Sequence, residues 1–276
     1  MMAASPIRAA GLDLWRCVDC SGPMAASTAG LECSECRREY PIRDGLIVVR
    51  DQVTANNQVV RDFYDSPLWP KFRFWEWYTF LWNGGERRSR DKILRHLPST
   101  PGLKLLDVAV GDGVYLDWLP KDWQVVGIDV STSQLAACRR RLAGRDVPLV
   151  LGEAEDLPFA DGKFDAVLSI GGFNYFNDPE GALREMARVT RPGGTIVVSD
   201  EVPDLTDRLP FRRFGLPGVN RWIVSRLMHL GDDFTELVEK YRDLNVRAIG
   251  ARVLPGSRYE LVWMKVGYVL VGEVPG

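Results

Sequence analysis

Histidine is nearly missing from this 276-residue chain, which has only His96 and His229. Neither lies in a recognisable catalytic motif, so chemistry that needs a histidine base has little to build on. Long apolar runs are missing too, and none reaches the roughly 18–20 residues that a membrane-spanning helix needs. No sign of charge is in excess: 35 basic residues against 37 acidic ones leave a net charge of −2. A global field that would draw the chain to nucleic acid or anionic lipid is thereby excluded, and any such binding must be local. The opening residues MMAASPIRAAGLDLW contain no apolar core or cleavage site of an export signal, so a cytoplasmic location is expected. What is present is ordinary for a folded chain: 46% hydrophobic and 26% charged residues. That balance excludes a disordered, collagen-like or coiled-coil protein. The length accommodates one large domain and a small module.

Four of the five cysteines fall in the first 36 residues, as Cys17, Cys20, Cys33 and Cys36. Two C-x2-C pairs separated by twelve residues suit two knuckle turns whose thiolates close a tetrahedral site. Two disulfides are the rival, disfavoured in a reducing compartment. With four thiolates and no nearby histidine, the expected role is a closed, structural Zn(II) site. Strands are expected at Leu31 to Cys33 and Leu46 to Arg50, with a turn at Asp44-Gly45. The stretches WRCVDCSGPM and LECSECRREYPIRDGLIVV resemble the zinc-ribbon family that includes small methyltransferase activator proteins. This divides the chain into a tail (1–12), a zinc ribbon (13–50), an aromatic connector (51–100) and a large domain (101–276) with an insertion at 203–232.

The connector holds Trp69, Trp75, Trp77 and Trp82 with Phe72, Phe74, Tyr78 and Phe80 between them. It reads either as interdomain packing or as a lid over an apolar or cationic ligand. From residue 103 onward, short apolar runs alternate with helical patterns. This is the signature of an α/β fold, a seven-stranded, mostly parallel Rossmann-like sheet. The strands are expected at Lys104 to Val108, Gln124 to Asp129, Pro148 to Leu151, Asp165 to Ile170, Thr195 to Ser199, Arg247 to Val253 and Tyr259 to Val266. Helices are expected after Ser131, which opens a capping box with Gln134, and after Asp178-Pro179.

The first of these strands runs into a turn with Asp107, Ala109, Gly111, Asp112 and Gly113, small residues that let a ligand approach the backbone. Asp129 ends the next strand, where a carboxylate can accept hydrogen bonds from both ribose hydroxyls. A nicotinamide or flavin dinucleotide is the competing ligand. Against it, Leu116 stands where such a turn wants a third glycine, and Asp112 would repel a pyrophosphate.

The runs LLDVAVGDG, VVGIDVS, GEAEDLPFADGKFDAVLSIGGFNYF and NDPEGALREMARVTRPGGTIVVSDE resemble class I S-adenosylmethionine-dependent methyltransferases, closest in style to the quinone-biosynthesis and small-molecule group. The resemblance implies that Asp107 and the turn through Ala109, Gly111, Asp112 and Gly113 hold the methionine part. It assigns Asp129 with Val130 to the ribose, Glu153 and the Ala154 backbone to the adenine, and Ile170 to a wall beside the cofactor. Ala109 departs from the glycine usual there. Asn174, Tyr175 and Glu201, with Asp200 beside it, are the candidates for contact with the acceptor or for taking a proton.

A small, partly apolar acceptor with an oxygen, nitrogen or carbon nucleophile is expected. The base-methylation pattern of an Asp or Asn followed by two prolines and an aromatic is missing, and arsenic methylation would need more cysteines than Cys138. RNA is the alternative acceptor, since rRNA guanine methyltransferases share the ribbon-plus-domain layout. The basic segments Arg87 to Arg95 and Arg208 to Arg226, the latter with five arginines, would serve it. A silent module that binds cofactor and activates a partner is the third reading.

Overall fold

The computed structural model describes residues 11–208 and 216–276, so the first ten residues of the tail and Phe211, Arg212, Arg213 and Phe214 of the insertion lie outside the described residues. The N-terminal region forms four short strands, β1 (Met24–Ala26), β2 (Gly30–Cys33), β3 (Glu39–Arg43) and β4 (Leu46–Val48), each antiparallel to the next. Asp44 and Gly45 join β3 to β4 with φ of 50° and 76°. Both central residues of a tight hairpin turn need positive φ, and an Asp-Gly pair adopts it readily.

Three helices follow: α1 (Ala55–Asp65), α2 (Trp69–Trp82) and α3 (Glu86–Leu94). The chain then lays down β5 (Lys104–Val108), β6 (Gln124–Asp129), α4 (Thr132–Arg141), β7 (Leu149–Leu151), β8 (Phe164–Ile170), α5 (Pro179–Val189) and β9 (Thr190–Glu201). The expected caps form: Ser131 Oγ accepts from Gln134 N at 3.1 Å, and Asp178 accepts from Gly181 N at 3.0 Å. No long helix follows β5, only a 3-10 turn at Leu116–Trp118.

The sheet has eleven strands, not seven, in the order β1-β2-β3-β4-β7-β6-β5-β8-β9-β11-β10. The four extra strands are those of the cysteine-bearing region, because β4 pairs in parallel with β7 through Ile47↔Val150 and Val48↔Leu151. From β7 to β9 all neighbours are parallel. Alternate residues feed two apolar layers, Leu106, Val108, Val126 and Ile128 on one face and Leu105, Val125, Ala166 and Leu168 on the other. The β6 and β8 connections leave β5 in opposite directions, and that reversal opens a crevice at the carboxyl ends of the strands.

The C-terminal part departs from the sequence reading. Beyond a short helical turn at Leu205–Arg208 come α6 (Pro217–Trp222), which continues as a π-helix over Ile223–Leu227, and α7 (Asp232–Lys240). Residues Arg247 to Val253, expected as a strand, lie in helix α8 (Val246–Val253), with Asn245 Oδ1 accepting from Ala248 N at 3.0 Å as its cap. Its buried Val246, Ile249 and Gly250 follow the three-to-four spacing of a helix face, which the short apolar run conceals. The expected Tyr259 to Val266 strand is instead a hairpin of β10 (Arg258–Val262) and β11 (Gly267–Glu273). Its turn is made by Trp263, Met264 and Lys265, all at positive φ. No turn-forming residue announces such a turn.

Candidate cofactor pocket and cysteine cluster

A cavity of about 450 Å³ opens at the carboxyl ends of β5, β6, β8 and β9. Its floor is the backbone after β5, where Ala109, Gly111 and Gly113 have φ of 61°, 54° and 72°. The left-handed turn carries the chain away from the sheet and leaves room above it. Gly113 is required for packing: a Cβ there would lie 2.6 Å from Cys138 Sγ on α4. Gly113 is buried and outside the cavity wall, whereas Asp107, Ala109, Gly111 and Asp112 line it.

Two carboxylates stand in this apolar wall. Asp107 is almost fully buried, and burial, reinforced by the charge of Asp129, pushes its pKa well above the ordinary range. Burial also pushes Asp129 up to about 6, against the pull of backbone amides. Those amides are Gly111 N, 2.8 Å from Oδ2, and Ser131 N, 2.9 Å from Oδ1, so Asp129 also fixes the turn on which it borders. Val130, Ala154 and Ile170 complete this part of the wall. Glu153 does not line the cavity; its carboxylate takes a hydrogen bond from Asn57 Nδ2 at 2.9 Å with Arg50 Nε 3.8 Å away.

Asp112 does not offer the free negative charge that the sequence argument used against a dinucleotide. It is paired with Arg73 at 2.8 Å and Arg141 at 2.9 Å. Burial opposes ionisation, but the two guanidiniums hold its carboxyl below the usual range. Arg73, from α2, escaped the sequence reading because the aromatics around it dominate the pattern. Asp65 at the end of α1 was missed likewise; it accepts from Ser131 Oγ at 2.5 Å and also from Ser133 Oγ.

At the far wall, Tyr175 donates its hydroxyl to the Glu201 carboxylate, and both residues line the cavity with Asp200. Burial, with Glu201 beside it, raises Asp200 well above its ordinary range. The same burial and the neighbouring carboxylates raise Tyr175. Asn174 sits behind this wall: Nδ2 donates to Glu201 O at 2.7 Å, and Oδ1 accepts from the Tyr268 hydroxyl at 3.0 Å. Its side chain is committed to holding β9 and β11 together.

The roof comes from the connector and the C-terminal insertion. Phe63 of α1 stacks on Phe234 of α7 with ring centroids 4.3 Å apart, and Val224 joins the same apolar cluster. Within α2, Phe72, Trp75 and Phe80 face the cavity, whereas Trp77 is exposed. The described arginines of the insertion are neutralised: Arg208 by Asp204, Arg221 by Glu239 and Arg226 by Asp232.

The four N-terminal cysteines converge, with all four Sγ atoms within 4.8 Å of one another and no disulfide. Cys17 and Cys36 are 3.6 Å apart, and Cys20 and Cys33 are 3.4 Å apart. Sulfurs about 2.3 Å from a common tetrahedral ion would be separated by roughly 3.8 Å, so one ion fits between them. The Tyr40 hydroxyl lies 3.3 Å from Cys17 Sγ and accepts from Val18 N at 3.0 Å, bracing one knuckle.

Residues 106–198 match the family described as methyltransferase domain. That segment, about a third of the chain, spans β5 to β9 and so the floor of the cavity. Curated relatives include demethylmenaquinone methyltransferases. That of Mycolicibacterium paratuberculosis is 45% identical over 124 residues, covering 44% of this chain and 52% of the relative. That of Renibacterium salmoninarum is 39% identical over 118 residues, covering 42% and 49%. The chain thus spans about half the length of the curated relatives it matches. Among solved structures, a complex of the Haloferax volcanii Trm112 methyltransferase activator with a methyltransferase aligns at a TM-score of 0.53 and 17% identity. The alignment covers 79% of this chain and 98% of that one, a likeness of fold.

Proposed function

We propose that this chain methylates a small apolar acceptor of the quinol class, using S-adenosylmethionine, and that its four cysteines hold one structural Zn(II). The observation that carries the cofactor reading is the pair of buried carboxylates, Asp107 and Asp129, in the wall of an apolar cavity. Buried like charges are costly unless a cation or hydrogen-bond donors meet them. A ligand with an ammonium, a sulfonium and two ribose hydroxyls supplies both. A dinucleotide would bring phosphates to the same wall. The demethylmenaquinone methyltransferase relatives support a quinone-type acceptor, and so does the aromatic roof of Phe72, Trp75 and Phe80.

When bound, S-adenosylmethionine supplies a methyl group already activated for displacement, so the protein contributes alignment and exclusion of water. Asp107 and the Ala109–Asp112 turn hold the methionine end, with Gly113 letting the turn pack on Cys138 and Asp112 keeping Arg73 against it. Asp129 and Val130 face the ribose, Ala154 the adenine and Ile170 the cofactor's flank, while Glu153 fixes the Ala154 segment through Asn57. Tyr175 and Glu201 meet the acceptor, and the Glu201 carboxylate takes the proton that the methylated carbon or oxygen loses. Asn174 positions Glu201 from behind. RNA is not favoured, because the described insertion arginines are paired with acids.

The test is methyl transfer from labelled S-adenosylmethionine by the purified chain. Reduced demethylmenaquinone, a short-tailed naphthoquinol and rRNA are offered separately. A quinol product heavier by one methylene unit is expected. Labelling of rRNA alone, or of nothing while the cofactor binds, would overturn the acceptor assignment.

A further inference from the structure

Helix α2 is apolar on both sides. Its inner side walls the cavity through Phe72, Trp75 and Phe80, yet Phe74, Trp77, Tyr78, Leu81 and Trp82 are exposed. Those five follow i, i+3, i+4, i+7, i+8 spacing, a continuous stripe along one helix face. Trp82 is 63% exposed and even Tyr78 is 42% exposed. An apolar surface of this kind marks an interaction site. Trp222 at the end of α6 and Met264 in the β10–β11 turn are also bare, 60% and 65% exposed. They belong to segments whose neighbours Val224 and Trp263 line the same cavity. The exposed stripe therefore borders the cavity's roof.

The local charge selects the occupant. Arg73, Arg90 and Arg95 are paired with Asp112, Glu86 and Glu260, whereas Lys71 on α2 and Arg87 and Arg88 at the start of α3 are exposed. A second copy packed symmetrically over this face would bring two cationic surfaces together. An anionic lipid surface meets both features at once. Trp and Tyr rings favour the headgroup boundary, and an apolar helix face can sink there while neighbouring Lys and Arg meet lipid phosphates. We propose that α2 docks this protein on the surface of an anionic bilayer, lying in its interface with the cavity roof turned toward the lipid. The inference deepens the quinol reading. An acceptor whose hydrocarbon tail exceeds a 450 Å³ cavity can leave that tail in the membrane while its ring enters under α2.

Vesicle flotation of the full chain, without cofactor or acceptor, tests this directly. The probes are phosphatidylcholine vesicles alone and with phosphatidylglycerol added. Binding is expected to the anionic vesicles and to fall with salt. The double variant Trp77→Ser/Trp82→Ser should weaken it by roughly tenfold or more. Arg87→Glu/Arg88→Glu should weaken it by roughly fivefold per charge removed. Unchanged melting and S-adenosylmethionine affinity in each variant would show that the fold persists. Failure to float with anionic vesicles, or flotation indifferent to both variants, would overturn the proposal. A dimer dissolved by Trp77→Ser/Trp82→Ser, without vesicle binding, would assign the face to a second copy and overturn it likewise. Docking is read independently of methyl transfer: flotation without quinol methylation would refute the acceptor reading alone, and methylation of a short-tailed quinol without flotation would refute docking alone.

Discussion

The Tyr175 hydroxyl donates to the Glu201 carboxylate across the tip of the sheet, joining the loop after β8 to the end of β9 inside the cavity. Such a pair can take a proton from an acceptor at one end while its geometry is fixed at the other. Replacing Glu201 with Gln is expected to lower turnover by about 10²-fold, in the range of positioned general bases, with cofactor affinity within about threefold. Tyr175→Phe keeps the ring packed against Phe234 and should cost less. Initial rates and calorimetry on the two variants separate these effects. Turnover within about threefold of wild type in Glu201→Gln would remove the carboxylate from proton transfer.

Asp129 should make the proposed cofactor site sensitive to pH. In the unliganded fold its pKa is raised from 3.8 to about 6 by burial, so the folded chain keeps its proton to higher pH than the unfolded chain does. The stability it contributes is complete below about pH 4 and is lost as pH rises through about 6. Ribose hydroxyls favour the ionised form, so S-adenosylmethionine should bind more tightly as pH rises through about 6. Asp129→Asn is expected to flatten both dependences and to weaken binding by roughly 1.5–3 kcal/mol. Melting and titration calorimetry on either side of that pH provide the check.

Ala109 occupies a left-handed conformation at φ 61°, where a Cβ is strained. The Ala109→Gly variant should therefore be more stable by about 0.5–1 kcal/mol, read from the urea midpoint. Gly172→Ala should do the opposite, since its new Cβ would lie 2.8 Å from that of Ala109. Equal midpoints for Ala109→Gly and wild type would show that the strain is absorbed elsewhere.

The cysteine cluster should carry one Zn(II) per chain after purification without chelator. Cys33, fully buried between the knuckles, is the position where serine should release it. Loss of metal is expected to loosen residues 11–50 in hydrogen exchange while the apolar layers around β5 and β6 stay protected. Metal analysis near zero in the wild type would refute the site.

Much of the fold was readable where local chemistry and tertiary packing agree. The Asp44-Gly45 turn, the Ser131 and Asp178 caps and strand Gln124–Asp129 each carry their own signal. The readings that failed lacked one. Val246–Val253 is short enough that a strand and a helix face look alike until its neighbours are known. The turn through Trp263, Met264 and Lys265 uses residues that normally avoid positive φ. At the site, Asp107 and Asp129 stand at strand ends that sequence can locate. The partners of Asp112 could not be located so, since Arg73 lies 39 positions away and reaches it only after α2 folds over the cavity.

The parallel pairing of β4 with β7 makes the N-terminal strands guardians of solubility as well as the frame of the cysteine cluster. All three residues of β7 are buried, and with Ile47 and Val48 removed their amides and carbonyls would become a bare, flat apolar rim. Such a rim recruits strands from other molecules. In the intact chain the sheet continues outward instead to β1, only three residues long and too short to template another copy. A methyltransferase domain cut free at residue 51 should therefore precipitate or self-associate, although every residue of its cofactor pocket remains in place.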